Sequence, residues 1–416
     1  MRLKFVTLVT ATLLLAGCSP QQLVQNRVER SIDQAMSQAT DALQEARNAP
    51  RPTSLRVATY NVSMYSDEAG DVRKRLQNND PDYRKIAAVI QDVRPDVVLL
   101  NEFDEDWAAA ELFRKEYLTR AQHGQLPIDY PYAYVGAVNT GVQSGLDLDN
   151  NGTVGGTGRD KGNDAWGYGQ HPGQYGMLIL SKYPIGSTRT FQRLPWSSMP
   201  GALRPTDPST GRSWYSDAVW SQLRLSSKSH WDVTINVNGK PFHLLASHPT
   251  PPVFDGPEKR NRNRNHDEIR LWKEFLTNDP STRSWLCDDQ KSCGGLPLDA
   301  AWILVGDQNA DPVDGDGVPG AINQILLHPR AQIGNAPRSF GGPLRAAEYG
   351  MRRTGDVATH TGDFGPKSGT LRLDYVVPSK QFRIVNQGVF WPAPSDSAAS
   401  YANASDHHMV WMDLQY

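Results

Sequence analysis

The segment WDVTINVNGKPFHLLASH, residues 231–248, distinguishes between two α/β architectures that this chain could adopt. The first half, WDVTINV, alternates apolar and polar residues, which is typical of a strand that buries one face, and the second half, PFHLLASH, is also a candidate strand. Between them, the Asn238-Gly239 pair is a signal for a two-residue hairpin turn. A hairpin makes the two strands antiparallel neighbours, whereas a doubly wound parallel sheet needs a helix between neighbouring strands. The segment therefore favours mixed sheets.

From Leu55 onward the chain alternates between strand-like and helix-like segments, and the strands outnumber the helices. PDYRKIAAVIQDVR, residues 81–94, starts with proline and spaces its apolar residues as a helix does. Strands are predicted in LRVATYNV (55–62), PDVVLLNEF (95–103), YGMLILS (175–181), DAVWSQLRL (217–225), AWILVGDQN (301–309), LRLDYVV (371–377) and HHMVWMDL (407–414). This pattern predicts an α/β fold with two mixed sheets covered by helices.

The first residues have the features of an export signal. MRLKFVTLVTATLLLAGC, residues 1–18, has a cationic start, an apolar run and a small-residue end. Its last four residues resemble the lipobox of bacterial lipoproteins, so we expect Cys18 to be acylated and to anchor the protein to a membrane of the bacterial cell envelope, outside the cytoplasm. The alternative is an ordinary signal peptide in which the cysteine has no role. We predict a lipoprotein signal peptide at 1–18, a stalk or linker at 19–54 and one domain at 55–416.

Two further cysteines, Cys287 and Cys293, lie close together in CDDQKSC. In an exported chain we expect them to form a disulfide that closes a small loop. A metal site is the less favoured alternative, because no second cysteine pair or nearby histidine would complete it.

Polar side chains recur at the ends of the predicted apolar strands, and one acid lies inside a strand. They are Asn61, Glu102, His248, Asp307, Asn309, Asp374, Asp406 and His407. Each one alone has an ordinary explanation, because Asn and Asp favour strand ends and turns. Acids directly after buried runs are costly unless their charge is compensated, and a divalent cation would compensate it. Asp307 and Asn309 are two residues apart, so on an extended chain they can reach the same ion or phosphate.

The motifs that carry these residues resemble those of the endonuclease/exonuclease/phosphatase superfamily over residues 55–416. They are LRVATYNV, PDVVLLNEFD, YGMLILSKYPI, LLASHP, ILVGDQNADP, LRLDYVVPS and SDHHMVW, in that order. The resemblance implies a four-layered αββα sandwich of two mixed β-sheets and a metal-dependent hydrolase acting on phosphoester bonds.

The resemblance also implies a role for each polar residue. Metal binding is implied for Glu102, Asn61 and Asp406, and catalytic roles are implied for His407, Asp374, His248, Asp307 and Asn309. In this scheme Mg²⁺ or Mn²⁺ neutralises the phosphodiester, and Asp374 fixes the tautomer of His407. We expect His408 to be a strand residue that points the other way. The sequence departs from deoxyribonuclease-type members in one place, where Gln174 and Tyr175 replace the glutamate that supports the equivalent of His248.

A second candidate metal site lies in DLDNNGTVGG, where Asp147, Asp149 and Asn151 resemble the start of a calcium loop. The glutamate expected at the twelfth position is absent and Gly158 stands there. Ca²⁺ binding and a solvated glycine loop are therefore both open.

The substrate is indicated only by local features, because the formal net charge of -2 gives no general basic field. Lys259, Arg260, Arg262 and Arg264 form either a solvated face or an arm for phosphate groups. Exposed tryptophans at 196 and 214 would stack on bases, enter a lipid interface or pack together.

From these features we expect a monomeric phosphodiesterase, and nucleic acid is favoured as its substrate over phospholipid. The alternatives are a sphingomyelin-type phosphodiesterase or phosphatase, and an inactive, surface-anchored binding lipoprotein. An intact set of polar residues argues against the inactive protein, since a degenerate site would have lost some of them.

Overall fold

Thirteen strands, numbered in chain order, lie in the part of the chain that the computed structural model describes, residues 54–332 and 334–416. They are β1 (Leu55–Met64), β2 (Val97–Phe103), β3 (Tyr132–Tyr134), β4 (Met177–Ser181), β5 (Ile185–Thr190), β6 (His230–Val237), β7 (Lys240–Ser247), β8 (Trp302–Asp307), β9 (Gly362–Asp363), β10 (Thr370–Leu371), β11 (Asp374–Pro378), β12 (Arg383–Val389) and β13 (Val410–Gln415). Gln34 is the one other described residue, so the predicted signal peptide, Cys18 and nearly all of the predicted stalk lie outside the described residues.

The α-helices in the same ranges are α1 (Asp71–Gln77), α2 (Pro81–Val93), α3 (Trp107–Leu112), α4 (Gly158–Asn163), α5 (Asp217–Trp220), α6 (Arg260–Thr277), α7 (Asn323–Leu326), α8 (Gly341–Glu348), α9 (Gly365–Ser368) and α10 (Ala399–Ala402). A π-helical turn (Phe113–Leu118) follows α3, and 3₁₀ turns occur at Trp196–Ser198, Pro280–Ser284 and Val357–Thr359. None of these described helices combines the length and the apolarity needed to cross a bilayer.

Local signals account for the start of α2 and for the one predicted strand that is wrong. The Asp80 carboxylate accepts hydrogen bonds from the amides of Asp82 and Tyr83, so it caps α2 directly before Pro81. The segment 217–225 is not a strand but begins with α5, because the Ser216 side chain accepts a hydrogen bond from the amide of Val219 and caps a helical turn.

The strands form two large mixed sheets. The strand order is β12-β13-β1-β2-β4-β3 in the six-stranded sheet and β11-β8-β7-β6-β5 in the five-stranded sheet, while β9 and β10 pair separately. The pairs β1–β2 and β7–β8 are parallel and the others are antiparallel. The predicted hairpin joins β6 to β7, and Asn238 (φ 52°) and Gly239 (φ 86°) take the left-handed backbone conformation that such turns need.

Alternate residues of the central strands separate the layers. Leu99 in β2 and Leu244 in β7 belong to the core between the two sheets. Leu100 faces the opposite way and packs in a cluster with residues of α2. Leu245 likewise packs with residues of α6 on the outer face of the second sheet. The order is therefore helix, sheet, sheet, helix, which confirms the predicted αββα sandwich.

The topology brings the ends of several strands to one edge of the sandwich. The parallel strands β1 and β2, and likewise β7 and β8, end on the same side of their sheets. Asp374, the first residue of β11, is paired with Asp307, the last residue of β8. Val410, which starts β13, is paired with Thr59, two residues before Asn61 in β1. Polar residues far apart in the sequence thus meet at this edge.

A disulfide bond joins Cys287 and Cys293 in the connection before β8. Inside the loop, the Asp288 carboxylate accepts a hydrogen bond from the Nε of Arg189, which belongs to β5. The disulfide closes the small loop, as predicted, and the ion pair holds this loop against β5 at the edge of the second sheet.

Candidate active site

Asp307 lies at the centre of the site at the end of β8. Its Oδ2 accepts a hydrogen bond from Nδ2 of Asn61 at 3.1 Å. The same oxygen lies 3.4 Å from Nε2 of His248 and 3.6 Å from Nε2 of His407. One oxygen of the Asp307 carboxylate therefore faces Nε2 of both histidines, so the two rings converge on the same point.

Asn101 in β2 fixes the position of Asp307, and sequence reasoning missed it. Asn101 is fully buried, and its Oδ1 accepts a hydrogen bond of 3.1 Å from the amide of Asp307. Its Nδ2 donates to the carbonyl of Ser247 at 3.4 Å. In β8, position 306 accepts only glycine, because a Cβ on Gly306 (φ 138°) would lie 2.0 Å from the carbonyl oxygen of Ser247. This one amide side chain ties the carboxyl ends of β7 and β8 to the other sheet.

His407 forms a buried pair with Asp374. Nδ1 of His407 donates to Oδ2 of Asp374 at 2.8 Å, and the hydroxyl of Thr361 donates to the same oxygen at 2.7 Å. The Thr361 hydroxyl oxygen in turn accepts from the amides of Leu373 and Asp374. The structure therefore brings together the predicted histidine and its predicted acid, and it adds Thr361, which lies in a segment without any strand or motif signal.

The charged groups of this cluster shift one another's pKa values. Burial alone would lower the pKa of His407, but the carboxylates of Asp374 and Asp307 raise that pKa well above its usual value. Burial would raise the pKa of Asp307, yet His407 and His248 lower it below the ordinary range. Burial dominates at Asp374 and raises its pKa. The imidazole of His407 consequently favours its protonated form, in which it can donate a proton.

Glu102 has the features of a metal ligand. Its carboxylate forms no hydrogen bond with any described residue, and its Oε1 is 4.0 Å from Nε2 of His248. Glu102 also adopts a positive φ of 58°, a strained conformation for a residue with a side chain. The Oδ1 of Asn61 faces the amide of Ser63 at 3.2 Å, so it keeps capacity for a further contact. Oxygen ligands of this kind suit Mg²⁺ or Mn²⁺, so the residues present fit a divalent cation.

Asp406 and Asn309 each form hydrogen bonds with neighbouring residues of this cluster. Asp406 is exposed, and its Oδ1 accepts a hydrogen bond from the hydroxyl of Ser63 at 3.2 Å. Asn309 (φ 50°) donates from its amide to Oδ1 of Asp307 at 2.9 Å and from its side chain to the carbonyl of Pro249. Asn309 thus orients Asp307 and the turn after His248.

Asp307, Asp374 and His407 also have ligand atoms within 4.8 Å of one another. We do not regard them as a metal site, because the hydrogen bond between His407 and Asp374 already uses the ligand atoms that an ion would need.

No carboxylate among the described residues supports His248 at its Nδ1, the nitrogen that faces away from Asp307. His248 is buried, and its Nδ1 has no hydrogen-bond partner among the described residues. Gln174 does not contact His248, because its side-chain Nε2 donates to the carbonyl of Ser66 and to Asp67. The departure seen in the sequence is therefore a difference in how the histidine is held.

His408 packs away from the catalytic cluster, as expected, but it precedes β13 rather than lying in a strand. Its ring stacks on Trp391 with 3.9 Å between ring centroids. Burial lowers the pKa of His408 to about 3, so this histidine is neutral.

The predicted basic arm is only partly available for phosphate. Arg264 is half-buried, and its guanidinium donates to the carbonyls of Leu225, Trp166, Arg224 and Ser226, so most of its donors are already used. Trp196 is fully buried and donates from Nε1 to Asp267 at 2.7 Å, so it is not an exposed aromatic. Both side chains stabilise the loops around α6.

The second acidic cluster gains a member that the sequence did not indicate. Carboxylate oxygens of Asp147, Asp149 and Asp164 lie within 4.8 Å of one another. They already accept hydrogen bonds from loop amides, among them that of Gly152 at 2.9 Å. Ca²⁺ binding in this loop stays a prediction.

A cavity of about 440 Å³ lies beside Glu102. Four tyrosines contribute to its wall, namely Tyr65, Tyr168, Tyr175 and Tyr215. Its basic lining residues are Arg159, Lys228, Arg260 and Arg264. The cavity therefore offers flat aromatic surfaces and positive charge next to the candidate metal ligand.

The fold and the site together are those of an α/β phosphoesterase. The site combines two histidines, a pair of buried acids and an edge rich in oxygen ligands. The chain belongs to the endonuclease/exonuclease/phosphatase family, whose family model matches residues 58–407. Members of this family are hydrolases that act on phosphoester bonds, typically with a divalent metal.

Solved structures with a similar arrangement include proteins with different substrates. The chain is similar to an endonuclease/exonuclease/phosphatase from Beutenbergia cavernae, with 20% identity, 87% of this chain and 72% of that chain covered and a TM-score of 0.47. It is similar to sphingomyelinase C from Streptomyces griseocarneus, with 17% identity, coverage of 86% and 99% and a TM-score of 0.43. A mannosyl-6-phosphatase from Bacteroides thetaiotaomicron has 15% identity, coverage of 87% and 100% and a TM-score of 0.43. The search of curated proteins gave no match.

Proposed function

We propose that the protein is a metal-dependent phosphodiesterase that cleaves nucleic acid. The observation that carries the catalytic part is the shared Oδ2 of Asp307, which has Nε2 of His248 at 3.4 Å and Nε2 of His407 at 3.6 Å. A phosphate placed there would meet two imidazoles and the side chain of Asn61, all within the reach of hydrogen bonds.

Glu102 and Asn61 would hold the cation, and Asp406 is the further candidate ligand at this edge. When bound, Mg²⁺ or Mn²⁺ would neutralise the charge of the phosphodiester and stabilise the charge that develops during hydrolysis. His407 exchanges a proton with the attacking water or the leaving oxygen, and Asp374 keeps Nδ1 protonated so that Nε2 faces the substrate. His248 donates a hydrogen bond to a phosphate oxygen.

The cavity beside Glu102 favours nucleic acid over a choline-type phospholipid. The rings of Tyr65 and Tyr175 lie with centroids 4.5 Å apart and line the same cavity, so a base can stack against them. A quaternary ammonium headgroup would instead meet the positive charge of Lys228, which is unfavourable.

We further propose that the protein acts at the bacterial cell envelope, outside the cytoplasm and anchored through Cys18. The support for this location is the sequence of residues 1–18 alone.

A substrate screen tests the proposal. The purified protein would be assayed on single-stranded DNA, duplex DNA, RNA, phospholipid vesicles and a phosphomonoester, each with and without a chelator. Metal-dependent cleavage of nucleic acid is expected. Hydrolysis of the phospholipid headgroup without any nucleic-acid cleavage at low salt would show that the substrate assignment is wrong.

A further inference from the structure

Lys228 is a buried lysine whose amine has no hydrogen-bond or ion-pair partner among the described residues. Burial lowers its pKa, and the carboxylates of Glu268, Glu102 and Asp307 oppose that shift through space. Only 6% of the surface of Lys228 is exposed, and this residue lines the cavity beside Glu102. A buried charge without a partner is costly, so a residue of this kind needs an explanation outside the fold itself.

Three hydroxyl groups in the same cavity are also without partners. Thr140, Ser227 and Thr250 line the cavity together with Lys228, and each is at least nine-tenths buried. Their side-chain oxygens form no hydrogen bond with any described group. One wall of the cavity therefore collects an ammonium group and three hydroxyls whose hydrogen-bonding capacity is unused.

The backbone around these groups is held in place. The carboxylate of Glu268, on α6, accepts a hydrogen bond of 2.6 Å from the amide of Ser227 with one oxygen. Its other oxygen accepts one of 2.6 Å from the amide of Thr250. The amide of Asn139 donates to the carbonyl of Lys228 at 2.9 Å. Because Glu268 is satisfied by backbone amides, the donors next to it are arranged in advance for a ligand.

The charge of the cavity indicates the sign of that ligand. Glu102 is the one carboxylate among the lining residues, whereas Arg159, Arg260 and Arg264 are basic like Lys228. Arg260 is paired with Glu258 at 2.6 Å, and the carboxylate of Glu268 contacts the amides of Ser227 and Thr250. With a cation at Glu102, the cavity carries a clear positive excess. An ammonium group together with hydroxyls suits a phosphate, whose oxygens each accept several hydrogen bonds.

We propose that Lys228, with Thr140, Ser227 and Thr250, binds a second phosphate of the substrate that is not cleaved. The inference rests on the proposed function, in which the cleaved phosphate lies between Glu102 and His407. It narrows the substrate to compounds that carry at least two phosphates. Such a phosphate belongs either to a neighbouring nucleotide or to a phosphorylated sugar.

The test measures binding rather than turnover. Dissociation constants would be measured by calorimetry, with Mg²⁺ present, for thymidine 3′,5′-bisphosphate and thymidine 5′-monophosphate, and for fructose 1,6-bisphosphate and fructose 6-phosphate. For the wild-type protein the second phosphate should tighten binding about tenfold or more, which is the effect of one charge-assisted hydrogen bond. A preference in the nucleoside pair alone identifies a neighbouring nucleotide, and a preference in the sugar pair alone identifies a sugar phosphate. Preference in both pairs shows recognition of the phosphate itself, and preference in neither overturns the proposal.

Variants separate binding from a structural role. Lys228→Met should abolish the preference for the second phosphate while its unfolding temperature equals or exceeds that of the wild type, since an unpaired buried charge has been removed. Lys228→Arg should retain part of the preference. Lys240→Met, at an exposed hairpin position, is the matched control and should retain all of it. Ser227→Ala and Thr250→Val should weaken the preference severalfold, and they provide the test if Lys228→Met does not fold. An unchanged preference in these variants contradicts the proposal.

The two proposals fail in different ways. A protein that cleaves diesters but binds the mono- and bisphosphates equally would overturn this inference and leave the proposed function intact. A protein that cleaves no nucleic acid but prefers bisphosphates through Lys228 would overturn the nuclease assignment alone.

Discussion

Asp374→Asn tests the catalytic role of the buried pair. The substitution keeps the volume of the side chain, and an amide oxygen can still accept the hydrogen bonds from Thr361 and His407. What disappears is the negative charge, whose Oδ2 is 2.8 Å from Nδ1 of His407. At an effective dielectric constant of about 20, two unit charges about 4 Å apart attract each other by about 4 kcal/mol. If this attraction stabilises the imidazolium during catalysis, turnover falls about a thousandfold, since about 1.4 kcal/mol is a factor of ten.

The assay is steady-state hydrolysis of bis(p-nitrophenyl) phosphate at saturating Mg²⁺, together with thermal unfolding of each variant. For Asp374→Asn we expect kcat to fall by about three orders of magnitude, with KM nearly unchanged because the substrate does not touch Asp374. His408→Gln is the control, because His408 is neutral and stacks on Trp391 outside the cluster. Its kcat should stay within about threefold of the wild type. Equal losses in the two variants, or a folded Asp374→Asn protein with kcat within tenfold of the wild type, would refute the reasoning.

Three further predictions concern the metal, the anchor and the response to acid. Chelation should abolish hydrolysis, and Mg²⁺ or Mn²⁺ should restore it. The Glu102→Gln variant should need much more metal to reach its half-maximal rate. Full turnover in excess chelator would exclude the metal site. Cys18→Ser should move the protein from the membrane fraction to the soluble envelope fraction, and a variant that still sediments with membranes is not anchored by lipidation. Burial lowers the pKa of His230 from 6.5 to about 4, and its Nε2–H donates to the carbonyl of Glu268. The unfolded chain then binds a proton that the native state does not. Stability is therefore present above about pH 6.5 and decreases as the pH falls towards 4, by about 2 kcal/mol at pH 5 from this residue. Urea unfolding at pH 7 and pH 5 measures the change, and His230→Gln should reduce it.

The fold could be predicted because its signals are local. The alternation in residues 231–237, the apolar run that follows and the Asn238-Gly239 turn between them specify β6 and β7 without reference to the rest of the chain. The start of α2 follows in the same way from Asp80 and Pro81. The segment 217–225 has apolar residues that fit a strand, but the cap provided by Ser216 favours a helical turn, and this cap decides the structure.

The candidate site could be predicted only where its residues end strands or belong to motifs. Asp307, His248 and His407 meet because both sheets end at one edge, and the motif order already contained that information. Thr361 could not be found, because its contact with Asp374 depends on a segment without regular pattern. Nothing in the composition around Asn101 indicates that its side chain connects the two sheets.

The four basic residues at 259–264 show why charge alone does not define a binding surface. Arg264 lies in a charged run that predicts a solvated or phosphate-binding face. In the structure its guanidinium donates hydrogen bonds to carbonyl oxygens of neighbouring loops. Lys228 lies among serines in a segment that shows no basic pattern, yet it remains buried and without a partner beside Glu102. A cation that is already hydrogen-bonded contributes less to a ligand than one whose donors are free, because the ligand would have to replace existing bonds. Which cations are free depends on contacts between loops, and only the folded structure defines those contacts.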